Sequence, residues 1–302
     1  MKAWQYASLV FLGGCCFGIL STFVKLAYGA GFSIAEVTGG QFIVGTVLIG
    51  VLALFSKGNK LSIGQIVRLV VAGIPMGLTG IFYYQSLQWL DASLAIIFLF
   101  QFIWIGSLLE WIWEKKKTSK VKLLSITVLL VGSVLAAGIF TQGANRFSIQ
   151  GAAWASSAAV MFATFIYVSG TVGKTLQPVQ RSAWFSVGGL LAVLTLYPPI
   201  FLTEIPLLIE LTPYVLVLGL FGVALPPLLF SIGMPHVGAG LGTILSSSEL
   251  PVAIILSTLV LAEPVSWSQW MGVSIILAGI IIGNKKESSV CSKQVRISDF
   301  SV

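Results

Sequence analysis

The residues best suited to chemistry stand together: Ser246-Ser247-Ser248-Glu249-Leu250-Pro251. They sit in the middle of an apolar run spanning about residues 238–262. That run is long enough to cross a bilayer, which takes roughly 20 residues. Glu249 therefore falls near mid-membrane, where a carboxylate costs at least about 2.5 kcal/mol by insertion scales. Such a residue normally faces a partner or a water-filled cavity and marks a solute or ion path. Pro251 has no N–H, and its ring clashes with the carbonyl four residues back, that of Ser247. A carbonyl freed in hydrocarbon must find a partner or line a cavity. Three hydroxyls, a freed carbonyl and a carboxylate within two turns read as the floor of a binding site for a polar small molecule. The plainer alternative is a kinked helix whose Glu is locked in an internal hydrogen bond. Gly242, Ser246, Glu249 and Ala253 recur at three- and four-residue spacing on one face. The small residues leave room for a ligand, and the Ser246 hydroxyl is placed to donate to the carboxylate. Glu249 is then the group to bind a proton or a cationic solute.

The elements that must hold this site are membrane helices. Of the 302 residues, 57% are apolar and 9% charged, and the mean hydropathy is +0.99. A soluble domain carries about 25% charge, so the chain reads as an all-α polytopic membrane protein with no soluble domain. Ten apolar spans can be marked, at about 4–28, 34–55, 66–87, 93–113, 121–140, 151–171, 182–201, 213–234, 238–262 and 267–284. The first far exceeds the 7–15 residues of a signal-peptide core. With the N-terminus in the cytoplasm, only Lys25 and Arg146 of the 17 Lys and Arg residues fall outside. This positive-inside bias places both termini in the cytoplasm and explains the net charge of +7 without nucleic acid.

The chain repeats itself. Asp91-Ala92-Ser93-Leu94-Ala95 aligns with Gly238-Ala239-Gly240-Leu241-Gly242, and the same register sets Gly132 on Gly279. A register two or three residues shorter sets Gly14 and Gly18 on Ala159 and Ala163, and Gly45 on Gly189. With five spans per half, an odd number, the second half enters the membrane upside down. Inverted repeats are the design of secondary transporters, with the solute site at the repeat interface near the midplane. The predicted organisation is a first five-helix repeat at 1–146, a second at 147–284, and a mobile cytoplasmic tail at 285–302. The counterpart of the Glu249 stretch is Phe100-Gln101-Phe102-Ile103-Trp104. Gln101 and Trp104 are thereby candidate solute-binding residues, as are Tyr84 and Gln85 in the third span.

These features resemble the drug/metabolite transporter superfamily in its EamA-type branch. The resemblance rests on Glu249-Leu250-Pro251-Val252-Ala253, Leu261-Ala262-Glu263-Pro264, Gln269-Trp270-Met271-Gly272 and Leu277-Ala278-Gly279. Ala262 stands where that family usually has Gly, and Trp104 where the repeat would place a second proline. The resemblance implies two five-helix repeats, alternating access or a gated central cavity, the cavity bordered by spans one, three, four, six, eight and nine, and efflux of metabolites or amphipathic solutes.

Other residues take simpler readings. Gly14 and Gly18 suit close helix packing. Lys25 suits an interfacial, snorkelling position. Glu36 is favoured at a helix N-terminus. Glu110 and Glu114, beside Lys115, Lys116 and Lys117, read as a solvated ion-pair cluster. His236 is the only histidine and Cys15, Cys16 and Cys291 the only cysteines; they form no metal spacing, triad or disulfide framework. No cofactor motif is present. Four functions rank in order: a solute carrier exporting a metabolite, amino acid or drug-like compound; an uncoupled facilitator on the same fold; a membrane enzyme; and a structural or receptor role. The expected partners are a small-molecule substrate, the bilayer and a coupling proton.

Overall fold

The computed structural model describes residues 2–56, 58, 60–90, 92–115, 118–136, 148–262 and 265–298, the side chains of 92–94 and 285–298 excepted. Among these the architecture is all helical. The first three spans are α1 (Ala3–Gly29), α2 (Ile34–Phe55) and α3 (Ile63–Ser86). The fourth is two helices, α4 (Ala92–Leu99) and α5 (Phe102–Glu114), and the fifth is α6 (Lys120–Ala136). The second half opens with α7 (Ile149–Thr171) and α8 (Pro178–Leu196). Its third span joins α9 (Ile205–Gly219), a π segment (Leu220–Ala224) and α10 (Leu225–Val237). The ninth span is again two helices, α11 (Ala239–Ser246) and α12 (Glu249–Val260), and the tenth is α13 (Trp267–Ser298).

Nine spans among the described residues are long and apolar enough to cross a membrane. The remaining one, α6, has 17 residues, and the end of its expected span, 137–140, lies outside the described residues. So do Lys57, Asp91, Lys116, Lys117, most of the loop 142–148 including Arg146, and Glu263 and Pro264. The last helix runs past Asn284, where the sequence predicts a mobile tail, and continues to Ser298.

Local chemistry accounts for the helix ends. Ser33 caps α2 in a reciprocal box: its hydroxyl accepts from the Glu36 N–H and the Glu36 carboxylate accepts from the Ser33 N–H. Glu36 is thus held at its own helix start. Ser62 and Gln65 do the same for α3. Pro178 opens α8, where a missing N–H is harmless. In the eighth span, Pro227 cannot bond the Val223 carbonyl four residues back. The Ser186 hydroxyl of α8 donates to that carbonyl instead, at 3.0 Å, which is how a membrane helix tolerates a proline.

The two halves interlock by exchange. α3 packs on α7 and α8, while its counterparts α10 and α9 pack on α1 and α2. α4 and α5 lie on α7 as α11 and α12 lie on α1, and α6 pairs with its counterpart α13. The main contacts between the halves have partner contacts when the two halves trade places. Small residues let the helices close up: Gly73 and Gly77 of α3 abut the backbone of Phe185 and Gly189 in α8. The shared core therefore lies between the halves rather than within either.

Candidate solute-binding site

The ninth span is broken where the sequence predicts a kink. α11 stops at Ser246, Ser247 and Ser248 form a turn, and α12 starts at Glu249. The Ser247 and Ser248 N–H groups bond three residues back, to Ile244 and Leu245. The Ser247 carbonyl, expected to be free beneath Pro251, accepts a long bond from the Leu250 N–H at 3.4 Å. The three hydroxyls are also committed. Ser246 donates to the Gly242 carbonyl at 2.8 Å, Ser247 to Thr243 at 3.1 Å and Ser248 to Phe11 of α1 at 2.7 Å. Ser246 is fully buried and donates to its own helix rather than to Glu249.

Glu249 is left with the uncommitted polar atom. It is the first residue of α12, so the positive end of a helix dipole favours its negative charge. One carboxylate oxygen, Oε2, is buried with no hydrogen-bond partner. The Tyr83 and Tyr84 side chains of α3 lie within electrostatic reach of it. α1 presses against the break from the other side. A Cβ at Gly14 would strike Ser248 and the Ser246 backbone, and one at Gly18 would strike the Glu249 carbonyl and Val252. The Gly14/Gly18 pair thus seats α1 on the break.

The fourth span is broken at the matching place. The register that sets residues 91–95 on 238–242 sets Phe100-Gln101 on Ser247-Ser248, and α4 stops and α5 starts across that pair. Here there is no proline. The Gln101 amide donates to the Ile97 carbonyl at 3.1 Å and accepts from the Trp104 indole at 2.7 Å. Trp104 is 42% exposed and shares an outward stripe with Leu108, Trp111 and Ile112.

Tyr84 is buried, and its hydroxyl donates to the Gln41 amide oxygen at 3.3 Å. It also lines a cavity of about 670 Å³ with Lys25, Tyr28, Phe32, Leu87 and Gln88 among others. This cavity lies at the end of the bundle where α1 and α3 stop and α2 starts. The Tyr28 hydroxyl is buried and lacks a partner. Gln85 stands beside this cavity, bonding Gln88 at 3.0 Å and accepting from Tyr197 at 3.5 Å. Gln41 and Tyr28 were not singled out from the sequence. Gln41 interrupts the second apolar run as Glu249 interrupts the ninth, and that interruption was the available signal.

Aromatic side chains pack the middle of the bundle beside the breaks. Phe17, Phe102, Phe162, Phe165, Phe185 and Phe230 stack edge-on or tilted in a continuous cluster. Lys122 and Glu110 form an ion pair at 2.5 Å, their side chains 9% and 12% exposed. They rest on Gly240, where a Cβ would displace both. Glu110 is therefore a nearly buried partner of Lys122, not the solvated group that the neighbouring lysines suggested. Tyr6 stacks on His236 with centroids 3.7 Å apart. Among the described residues no cluster of His, Cys, Asp or Glu suits a metal ion.

The EamA-like transporter family matches twice, at residues 4–138 and 149–284, once in each half. The chain belongs to the EamA-like transporter family. An EamA protein is a multi-pass membrane protein with a small-molecule substrate. A curated relative, "Uncharacterized transporter YwfM" of Bacillus subtilis (strain 168), is 27% identical over 183 residues. That match covers 59% of this chain and 59% of the relative. A solved structure, "Crystal structure of protein", superposes with a TM-score of 0.74 at 16% identity, over 94% of this chain and 98% of that one. At that identity the likeness is one of fold.

Proposed function

We propose that this EamA protein is a secondary transporter of the cell membrane, with both termini cytoplasmic. It exports a small organic solute by alternating access between its two inverted halves. Glu249 carries either a proton or the ammonium of a cationic solute, and the two compete. Solute enters from the cytoplasm, displaces the proton, and leaves outside as the proton returns. Tyr84 and Gln85 line the outer part of the route, and Gln101 and Ser246 hold the two helix breaks in shape. The observation that carries this reading is Glu249 Oε2, a buried carboxylate oxygen with no partner, at the start of a half-helix near mid-span. An internally locked structural Glu would have that oxygen paired.

The test is Glu249→Gln in reconstituted vesicles. The variant keeps shape and most hydrogen bonding but cannot ionise. It should insert and fold, and lose pH-dependent transport. Transport at the parent rate with the same pH profile would sink the coupling role and favour an uncoupled facilitator on the same fold.

A further inference from the structure

Arg181 is the largest fully buried side chain among the described residues, 1% exposed. It stands in the first turn of α8. Its guanidinium donates to the Ser231 carbonyl of α10 at 3.0 Å and to the Ser169 carbonyl in the last turn of α7. It also lies over the Phe185 ring, 5.7 Å from the centroid. Nε has no partner, and neither does the neighbouring Ser231 hydroxyl. No carboxylate among the described residues pairs with it. Buried charges are normally paired, and an apolar residue of similar size often serves stability as well or better. A cation held by two carbonyl dipoles and a ring face, with no counter-charge, is a poor stabiliser, but it fastens three spans together at the cytoplasmic end.

The repeat supplies the comparison. The registers that set Gly45 on Gly189, Gly18 on Ala163 and Tyr84 on Ser231 carry Arg181 to Val37, Ser169 to Val24 and Ser231 to Tyr84. Val24, Val37 and Tyr84 pack in one apolar cluster at the outer end. Beside them is the 670 Å³ cavity that Tyr84 lines. The same three-span junction is thus open at one face of the protein and fastened at the other.

We propose that Arg181 is the bolt of the cytoplasmic gate. With the bolt home, the solute path opens only outward. In the cytoplasm-facing state the guanidinium releases the Ser231 or Ser169 carbonyl, and a vestibule forms beside Ser231, the counterpart of the one beside Tyr84. Release is accessible because Arg181 is so near the helix start that its long stem can carry the guanidinium to the cytoplasmic interface, exchanging carbonyls for water. The proposal rests on alternating access but not on Glu249 or on any identified solute.

Cysteine labelling separates the two. In a background with Cys15, Cys16 and Cys291 changed to Ser, a single cysteine replaces Ser231 or Leu87, and an impermeant maleimide is applied from one face at a time. With Arg181 intact, Leu87→Cys should react from outside at least about tenfold faster than Ser231→Cys from the cytoplasm. Arg181→Gln should raise the Ser231→Cys rate and lower the Leu87→Cys rate, each by about tenfold, and Arg181→Lys should fall between. Equal rates at the two sites with Arg181 intact would overturn the proposal, even if Arg181→Gln fails to fold. So would unchanged rates in a well-folded Arg181→Gln protein. Loss of the Glu249 pH dependence with normal labelling behaviour would leave the bolt standing.

Discussion

Gly14→Ala is the sharpest probe of how α1 meets the broken ninth span. A Cβ at Gly14 would stand 2.7 Å from the Ser246 carbonyl oxygen, 2.8 Å from the Ser246 Cα, and against the Ser248 hydroxyl. Two of these three atoms are backbone and cannot rotate away. The helices must part, and overpacking of this kind costs about 1–3 kcal/mol. The Ser248 hydroxyl would also lose its 2.7 Å bond to the Phe11 carbonyl, a net loss of about 0.5–1.5 kcal/mol. Gly50 in α2 is the control: a Cβ there meets nothing within 4 Å. Gly50→Ala should be neutral or stabilising by about 0.5–1 kcal/mol, the helix-propensity difference. The measurement is the fraction monodisperse after heating in detergent, alongside initial transport rates in vesicles. Gly14→Ala should melt earlier and transport more slowly, because Glu249 moves with the break, while Gly50→Ala matches the parent in both. Equal melting of the two variants would refute the close approach of α1 to residues 246–248, and with it the placement of Glu249.

Two further outcomes are expected. A reporter fused after Asn284 should read as cytoplasmic and a tag in the loop 142–148 should be reachable from outside; an external tail would break the ten-span count. Lys122→Met should cost about 3 kcal/mol by stranding the Glu110 carboxylate, and adding Glu110→Gln should recover part of that loss. A double variant that melts as the sum of the two singles would mean the 2.5 Å pair is not formed in the membrane.

The membrane class, the ten spans and the two halves were legible because lipid imposes length and apolarity on each span separately. The place of Glu249 midway along the ninth span was legible for the same reason. The break was only half legible. Pro251 announces a disturbance in the ninth span, but nothing in Phe100-Gln101 announces one in the fourth; the repeat named that stretch as the counterpart without foretelling a break. The three serines looked like a polar floor because hydroxyls are polar. Inside a helix, however, a serine commonly returns its proton to the carbonyl three or four residues back, as Ser246 and Ser247 do. Arg181 read as one more cytoplasmic charge in the positive-inside tally. Its burial depends on α7 and α10 converging over it, a non-local fact that no window of sequence contains. Glu110 was misread in the same way: its neighbour Lys115 caps the helix end, and its partner Lys122 comes from the next helix.

The exchange of contacts between the halves has a consequence for biogenesis. Helices leave the ribosome in order, yet α3 has its main partners in α7 and α8, and α6 has its own in the last helix, α13. The first five spans therefore enter the bilayer with their glycine-lined faces exposed to lipid and wait for the second five to arrive. Assembly of the earliest helices is completed by the latest, so the nascent chain spends most of its synthesis as an unpaired half.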